Sequence, residues 1–185
     1  MKIAGTDIGP GHPCFVISEI GVNHQGSMDI AQRLQAVAKA AGCDAVKYQK
    51  RTVDVVYTPE ELAQPRPGPW GPDNGSLKRL LEFSKERCGE LMDLAEQEGM
   101  SWSASPWDIG SVQTLADLGV SWIKIASASI ADLELVSECC SIGCPVIMST
   151  GMSTTAEIDA AVEVATSRAP SLARSVQEWA AVTAL

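Results

Sequence analysis

The chain repeats one phrase: a short apolar run, a polar step, then a stretch with helical periodicity. The runs are residues 14–20 (CFVISEI), 45–49 (AVKYQ), 100–105 (MSWSAS), 122–126 (WIKIA) and 145–149 (PVIMS). Their length and their Val, Ile and Trp content predict buried strands. Helical patterns fill the gaps. Residues 28–41 bring Ile30, Leu34, Val37, Ala38 and Ala41 to one face, and residues 88–98 bring together Leu91, Leu94 and Ala95. Residues 112–118, 133–141 and 154–165 follow. Gly42, Gly99, Gly119 and Gly143 each sit just past such a stretch, where a helix ends in a left-handed residue. Thr154 and Glu157 have the spacing of a capping box. Strands alternating with helices predict βαβ units and a parallel sheet.

Two segments break the phrase. Residues 52–76 carry Pro59, Pro65, Pro67, Pro69 and Pro72 and predict a long functional loop. Residues 166–185 are rich in Ala, Ser and Arg and show no sixth strand. The expected division is an N-terminal extension at 1–13, an α/β region at 14–165 and a divergent tail at 166–185.

Composition narrows the function classes. The 185 residues are 45% hydrophobic and 20% charged, as in an ordinary globular protein. The net charge of −9 argues against wrapping a nucleic acid and leaves room for a local cationic pocket. No run reaches the roughly 18 apolar residues of a membrane helix. The N-terminus lacks the apolar core of a signal peptide. The cysteines (14, 43, 88, 139, 140 and 144) form no CxxC pair. Reduced thiols in a cytoplasmic protein are the expectation, with no zinc site and no metal ligands.

In parallel α/β folds, ligands sit at the carboxyl ends of strands. Those ends offer Glu19, Asn23 and His24; then Lys47 and Gln49; then Ser103, Ser105 and Asp108; then Lys124 and Ser127; then Ser149 and Thr150. Lys47 and Lys124 are the sharpest signals, each an ammonium inside an apolar run. A buried ammonium needs a partner. An anionic ligand supplies one, with Ser105, Ser127 and Ser149 as neutral donors. A core carboxylate such as Glu19 supplies another, and snorkelling to a rim is a third solution. Glu19 reads equally as a general acid or base and as a lysine's ion-pair partner. His24 reads as a loop ligand or as a structural hydrogen bonder. No P-loop, dinucleotide fingerprint or GxSxG elbow is present.

With these residues in place, the chain resembles the sialic acid synthases and their nonulosonic-acid relatives, the NeuB type. The stretches that carry the resemblance are ISEIGVNHQG (17–26), AVKYQ (45–49), SASPWD (103–108), KIASAS (124–129) and STGMST (149–154). They fall in the family's order over about residues 14–165.

The resemblance implies a (β/α)8 barrel of the TIM type, here incomplete with about five βα units. In the family a small antifreeze-like domain follows, and the enzyme works as a homodimer. The implied reaction condenses phosphoenolpyruvate with an N-acetylated hexosamine such as N-acetylmannosamine and releases phosphate. It implies that Lys47, Ser105, Lys124, Ser127 and Ser149 hold phosphoenolpyruvate, that Glu19 and Gln49 lie beside the reacting centre, and that Asn74 approaches the sugar. It also implies a divalent metal, Mn²⁺ or Mg²⁺, whose histidine ligands belong to segments this chain lacks. Ser129 stands where many members carry a Glu, which leaves the acceptor sugar open. The resulting expectation is a barrel stopped short by truncation or frameshift, inactive alone, with a genuinely shortened protein ending in a new helix as the other origin. A Schiff-base aldolase built on Lys47 or Lys124, or a non-catalytic anion-binding remnant, are the alternatives.

Overall fold

The structure, a computed structural model, describes residues 2–168. It opens with a small antiparallel hairpin, β1 (Lys2–Ile3) and β2 (Thr6–Asp7), so the N-terminal extension carries structure of its own. The elements then run β3 (Ile17–Gly21), α1 (Met28–Ala40), β4 (Ala45–Lys50), α2 (Val53–Val56), α3 (Pro59–Leu62), β5 (Pro65–Gly68), β6 (Gly71–Asp73), α4 (Asn74–Leu80) and α5 (Lys85–Gln97). After them come β7 (Ser101–Pro106), α6 (Ile109–Leu118), β8 (Ile123–Ile125), a 3-10 turn at Ser127–Ser129, α7 (Leu133–Ser141), β9 (Val146–Met148) and α8 (Thr155–Arg168). The described residues form two units: Phe15–Gly119, and residues 2–14 with 120–168.

In the first unit, β4 lies between β3 and β7 in a parallel sheet. Successive side chains alternate between the two faces of a strand. Tyr48 faces the helices, where its hydroxyl reaches the Ala31 carbonyl of α1 at 3.4 Å and its ring stacks 5.6 Å from Trp102. Val46, opposite Trp102, and Ala104, opposite Tyr48, complete this buried layer. The other face is polar. Glu19, Lys47 and Ser103 stand in one cross-strand row, and Gln49 stands opposite Ser105. A sheet wholly buried for stability would carry Val or Ile at these positions, so the polar row is where the sequence gives up packing for chemistry.

The helices match their predicted positions closely, and their glycine stops hold. Gly42, Gly99, Gly119 and Gly143 all take positive φ, between 71° and 84°. The predicted face of α1 is wrong in detail. Ala31, Gln35 and Ala38 are buried, whereas Val37 is 65% exposed. Gln35 is tolerated inside because its amide donates to the Leu91 carbonyl of α5 at 2.9 Å.

The Pro-rich segment corrects the expectation of a loop. It folds into α2, α3 and the β5–β6 hairpin, and leads into α4. Proline is placed where each element accepts it. Pro59 opens α3 behind a Thr58–Glu61 capping box, and Pro65 begins an edge strand. Asp73 caps α4 through the Ser76 amide at 2.7 Å. A second cap ties the segment down: Asp108 caps α6 through Ser111 and also accepts from the Thr52 amide at 2.6 Å and hydroxyl at 3.0 Å.

In the second unit, β8 and β9 pair in parallel, with α7 and α8 alongside. Trp122, Ile123, Ile125, Ile130, Leu135 and Val136 form its buried core. Cys139 and Cys140 fill that core as free thiols. Burial pushes Cys139 up to about 12 and Cys140 to about 11, so both stay protonated and unreactive. The Thr154–Glu157 capping box forms in both directions, at 2.7 and 3.3 Å. From it α8 runs to Arg168, a little beyond the expected boundary at Ala165. The rest of the tail lies outside the described residues.

Candidate active site

Lys47 is 2% exposed, although it sits on the polar face of the central strand. Its ammonium lies 2.8 Å from a Glu19 carboxylate oxygen and donates to the Ser105 hydroxyl at 3.2 Å. The pair is asymmetric, with the Lys47 side chain 3% exposed and that of Glu19 59% exposed. Glu19 is therefore solvated enough to release the lysine to a ligand without becoming a buried, unpaired charge.

Gln49 follows on the same face, one step nearer the strand's end. Its carboxamide oxygen accepts a hydrogen bond from the Arg51 guanidinium. Arg51 is 7% exposed and held on every side. It donates to the Tyr57 hydroxyl at 2.8 Å, pairs with Glu82 at 2.7 Å, and lies 4.8 Å over the Trp107 ring. Lys50 approaches the same Glu82 at 3.6 Å. Burial raises the Glu82 carboxyl above its usual range, against the opposing pull of Arg51 and Lys50. Asp108 goes the other way: burial alone would raise it, but donors from Ser111 and Thr52 hold it below the usual range. Sequence reasoning missed Arg51 and Glu82. Their signal is a Lys-Arg pair directly ending an apolar strand and a carboxylate inside LLEFS.

His24 is structural here. It is 2% exposed and stacks 4.1 Å from Phe83. Its Nδ1 accepts the Gly26 amide at 3.1 Å. Burial lowers its pKa to about 4, so the ring is neutral. Asn74 opens α4, and its amide donates to the Glu61 carbonyl at 3.1 Å, which braces the inserted segment.

Lys124, Ser127 and Ser149 belong to the second unit. Lys124 sits between buried Ile123 and Ile125 on β8, opposite Ile147. The Ser149 amide donates to the Ile125 carbonyl at 3.1 Å, carrying the pairing past the end of β9. Ser127 opens the 3-10 turn beside Gly151, where an added Cβ would stand 3.6 Å from the serine's own. Lys124 thus lies within β8, and Ser127 and Ser149 follow the carboxyl ends of β8 and β9.

Among the described residues, no three His, Cys, Asp or Glu side chains converge to hold a metal ion. His24 has its Nδ1 occupied and its ring packed in the core. These residues do not fit the divalent ion of the resemblance.

Parallel strands, outer helices and polar residues at the strand ends define an α/β enzyme of the barrel kind. The model of the NeuB family matches residues 34–178, and the chain belongs to that family. It is 36% identical over 150 residues to human N-acetylneuraminate-9-phosphate synthase, covering 80% of this chain and 42% of that protein. The N,N'-diacetyllegionaminic acid synthase of Legionella pneumophila is 34% identical over 158 residues, covering 84% and 44%. The sialic acid synthetase of Leptospira borgpetersenii, solved with citrate, superposes with a TM-score of 0.79 at 25% identity, over 91% of this chain and 55% of that one. Bacillus subtilis SpsE gives 0.71 at 28% identity, over 91% and 44%. The fold is therefore a partial (β/α)8 barrel in a family of synthases. The chain spans less than half the length of these curated relatives.

Proposed function

We propose that this chain carries the phosphoenolpyruvate-binding part of a nonulosonic acid synthase. The observation that supports it best is the buried Lys47 ammonium, held by a half-exposed Glu19 at 2.8 Å and by Ser105 at 3.2 Å. Phosphoenolpyruvate brings a phosphate and a carboxylate, both suited to an ammonium and hydroxyl donors. Lys124, Ser127 and Ser149 are proposed for the same class of ligand, on the resemblance and on their matching composition.

In the proposed reaction, C3 of phosphoenolpyruvate attacks the aldehyde carbon of an N-acetylated hexosamine. The new C–C bond leaves positive charge at C2 and an alkoxide at the former aldehyde oxygen, which takes up a proton to balance the one the attacking water gives up. Water adds there, and the C2–O bond to phosphate then breaks. Glu19, freed from Lys47 by the ligand, would steady the charge at C2 or accept the water's proton. Gln49 lies one step away to orient the reacting groups. Turnover, the acceptor sugar and the homodimer are proposed to need chain of the kind the longer relatives possess. The ion pair engages Lys47 as an ammonium, which argues against a Schiff-base nucleophile.

Calorimetry tests the reading. Phosphoenolpyruvate should bind saturably and more tightly than sulfate. Lys47→Met should weaken it about 30-fold or more, the ~2 kcal/mol of a charge-assisted hydrogen bond, with little loss of fold stability. Binding no tighter than sulfate would refute the proposal. With Mn²⁺, phosphoenolpyruvate and N-acetylmannosamine this chain alone should release no phosphate.

A further inference from the structure

A carboxamide can turn either end toward a ligand, and Gln49 is held so that only one end is free. The Arg51 guanidinium has five N–H donors and no acceptor, so the end it touches must be the Gln49 oxygen. The Nε2 end then points away from Arg51, toward Gly21 at the end of β3, where an added Cβ would stand 3.6 Å from Nε2. Position 49 therefore offers a pair of donors and no acceptor.

Arg51 is not itself a ligand-binding cation. Its Nη1 is committed to Tyr57, its Nη2 to Gln49 and its Nε side to Glu82, and Trp107 covers its face. It is 7% exposed. Three separate parts of the chain seat it: the inserted segment through Tyr57, the turn before α5 through Glu82, and the end of β7 through Trp107. So much fixation of one guanidinium is more than stability asks of a single ion pair.

We propose that Arg51 is a positioning residue that locks Gln49 as a donor toward an anionic or carbonyl oxygen of the ligand. This rests on the proposed phosphoenolpyruvate site. Arg51 keeps its charge as lysine but loses the fork that grips an amide oxygen while holding Glu82 and Tyr57. The free carboxamide then flips, and part of its donor geometry is lost.

The test is a double-mutant cycle on the full chain, with phosphoenolpyruvate affinity measured by calorimetry. Arg51→Lys should weaken binding about 10-fold with Gln49 present, about 1.4 kcal/mol, and have almost no effect in Gln49→Ala. Equal weakening in both backgrounds would assign Arg51 a merely structural role and overturn the proposal. If Arg51→Lys does not fold, Tyr57→Phe removes only the hydroxyl that seats Nη1, and a smaller loss confined to the Gln49 background is expected. A second readout is independent of the ligand. The Gln49 side-chain NH₂ signals, identified by their loss in Gln49→Ala, should shift and exchange faster in the Arg51 or Tyr57 variant. If wild type binds no phosphoenolpyruvate, the binding-site reading fails, and unmoved NH₂ signals would separately overturn the positioning.

Discussion

Acid should loosen residues 15–119 through His24. The ring is buried, stacked on Phe83, and accepts the Gly26 amide at Nδ1, the atom that protonation would fill. Its pKa falls from 6.5 to about 4 on folding. The unfolded chain therefore takes up the proton first on acidification. Stability from the neutral ring is complete above pH 6.5 and drains away as pH falls toward 4. At 1.36 kcal/mol per unit the whole shift amounts to about 3.4 kcal/mol, and about 2.5 kcal/mol of that is gone by pH 4.5. The assay is urea unfolding followed by tryptophan fluorescence, for wild type and His24→Gln, from pH 7.5 to 4.5. Gln does not titrate, and every carboxylate is common to both proteins, so their difference isolates the imidazole. Wild type should be the more stable at pH 7.5, and the gap should close by about 2.5 kcal/mol at pH 4.5. Parallel profiles would refute the reasoning, because they would mean that the ring is protonated at no cost.

Two further substitutions test the fold that positions the site. Asp108→Ala removes four accepted hydrogen bonds, from Thr52 and Ser111, and should cost about 2–4 kcal/mol by chemical unfolding. Because the Asp108 carboxyl is lowered in the fold, its contribution should persist above about pH 4 and fade below it, so the two proteins should converge in strong acid. Gly26→Ala would drive a Cβ into the Leu80 carbonyl oxygen at a φ of +75°, and should cost about 3 kcal/mol or more; a melting temperature within 2–3 °C of wild type would contradict that packing.

Strand and helix positions were legible because period and punctuation agree: each predicted apolar run holds a strand, and each flagged glycine turns left-handed. The chemistry was legible where a charge interrupts an apolar run. Lys47 announces itself in that way, and Glu19 proves to be the partner that its own sequence reading had left open. What stayed hidden depends on contacts between distant segments. Val37 satisfies the helical period of α1 as well as Ala38 does, and only the placement of α5 decides that Gln35 goes inside instead. Five prolines in residues 52–76 suggest irregularity, yet each local cap and edge strand accepts them. Arg51 is an ordinary surface residue until Tyr57, Glu82 and Trp107 close around it, from positions 6, 31 and 56 residues further along.

β4 is hydrogen-bonded along both sides, and it carries Lys47 and Gln49. Its amides can exchange with solvent only when the surrounding unit opens, so the anchor of the site shares the slowest opening of its neighbourhood. The inserted hairpin and short helices hang from caps and single ion pairs instead. A lineage could rework that periphery, residue by residue, while the inner strand keeps its two side chains in register. Persistence and novelty are thus assigned to different backbone, and a change of substrate need not begin with a change of anchor.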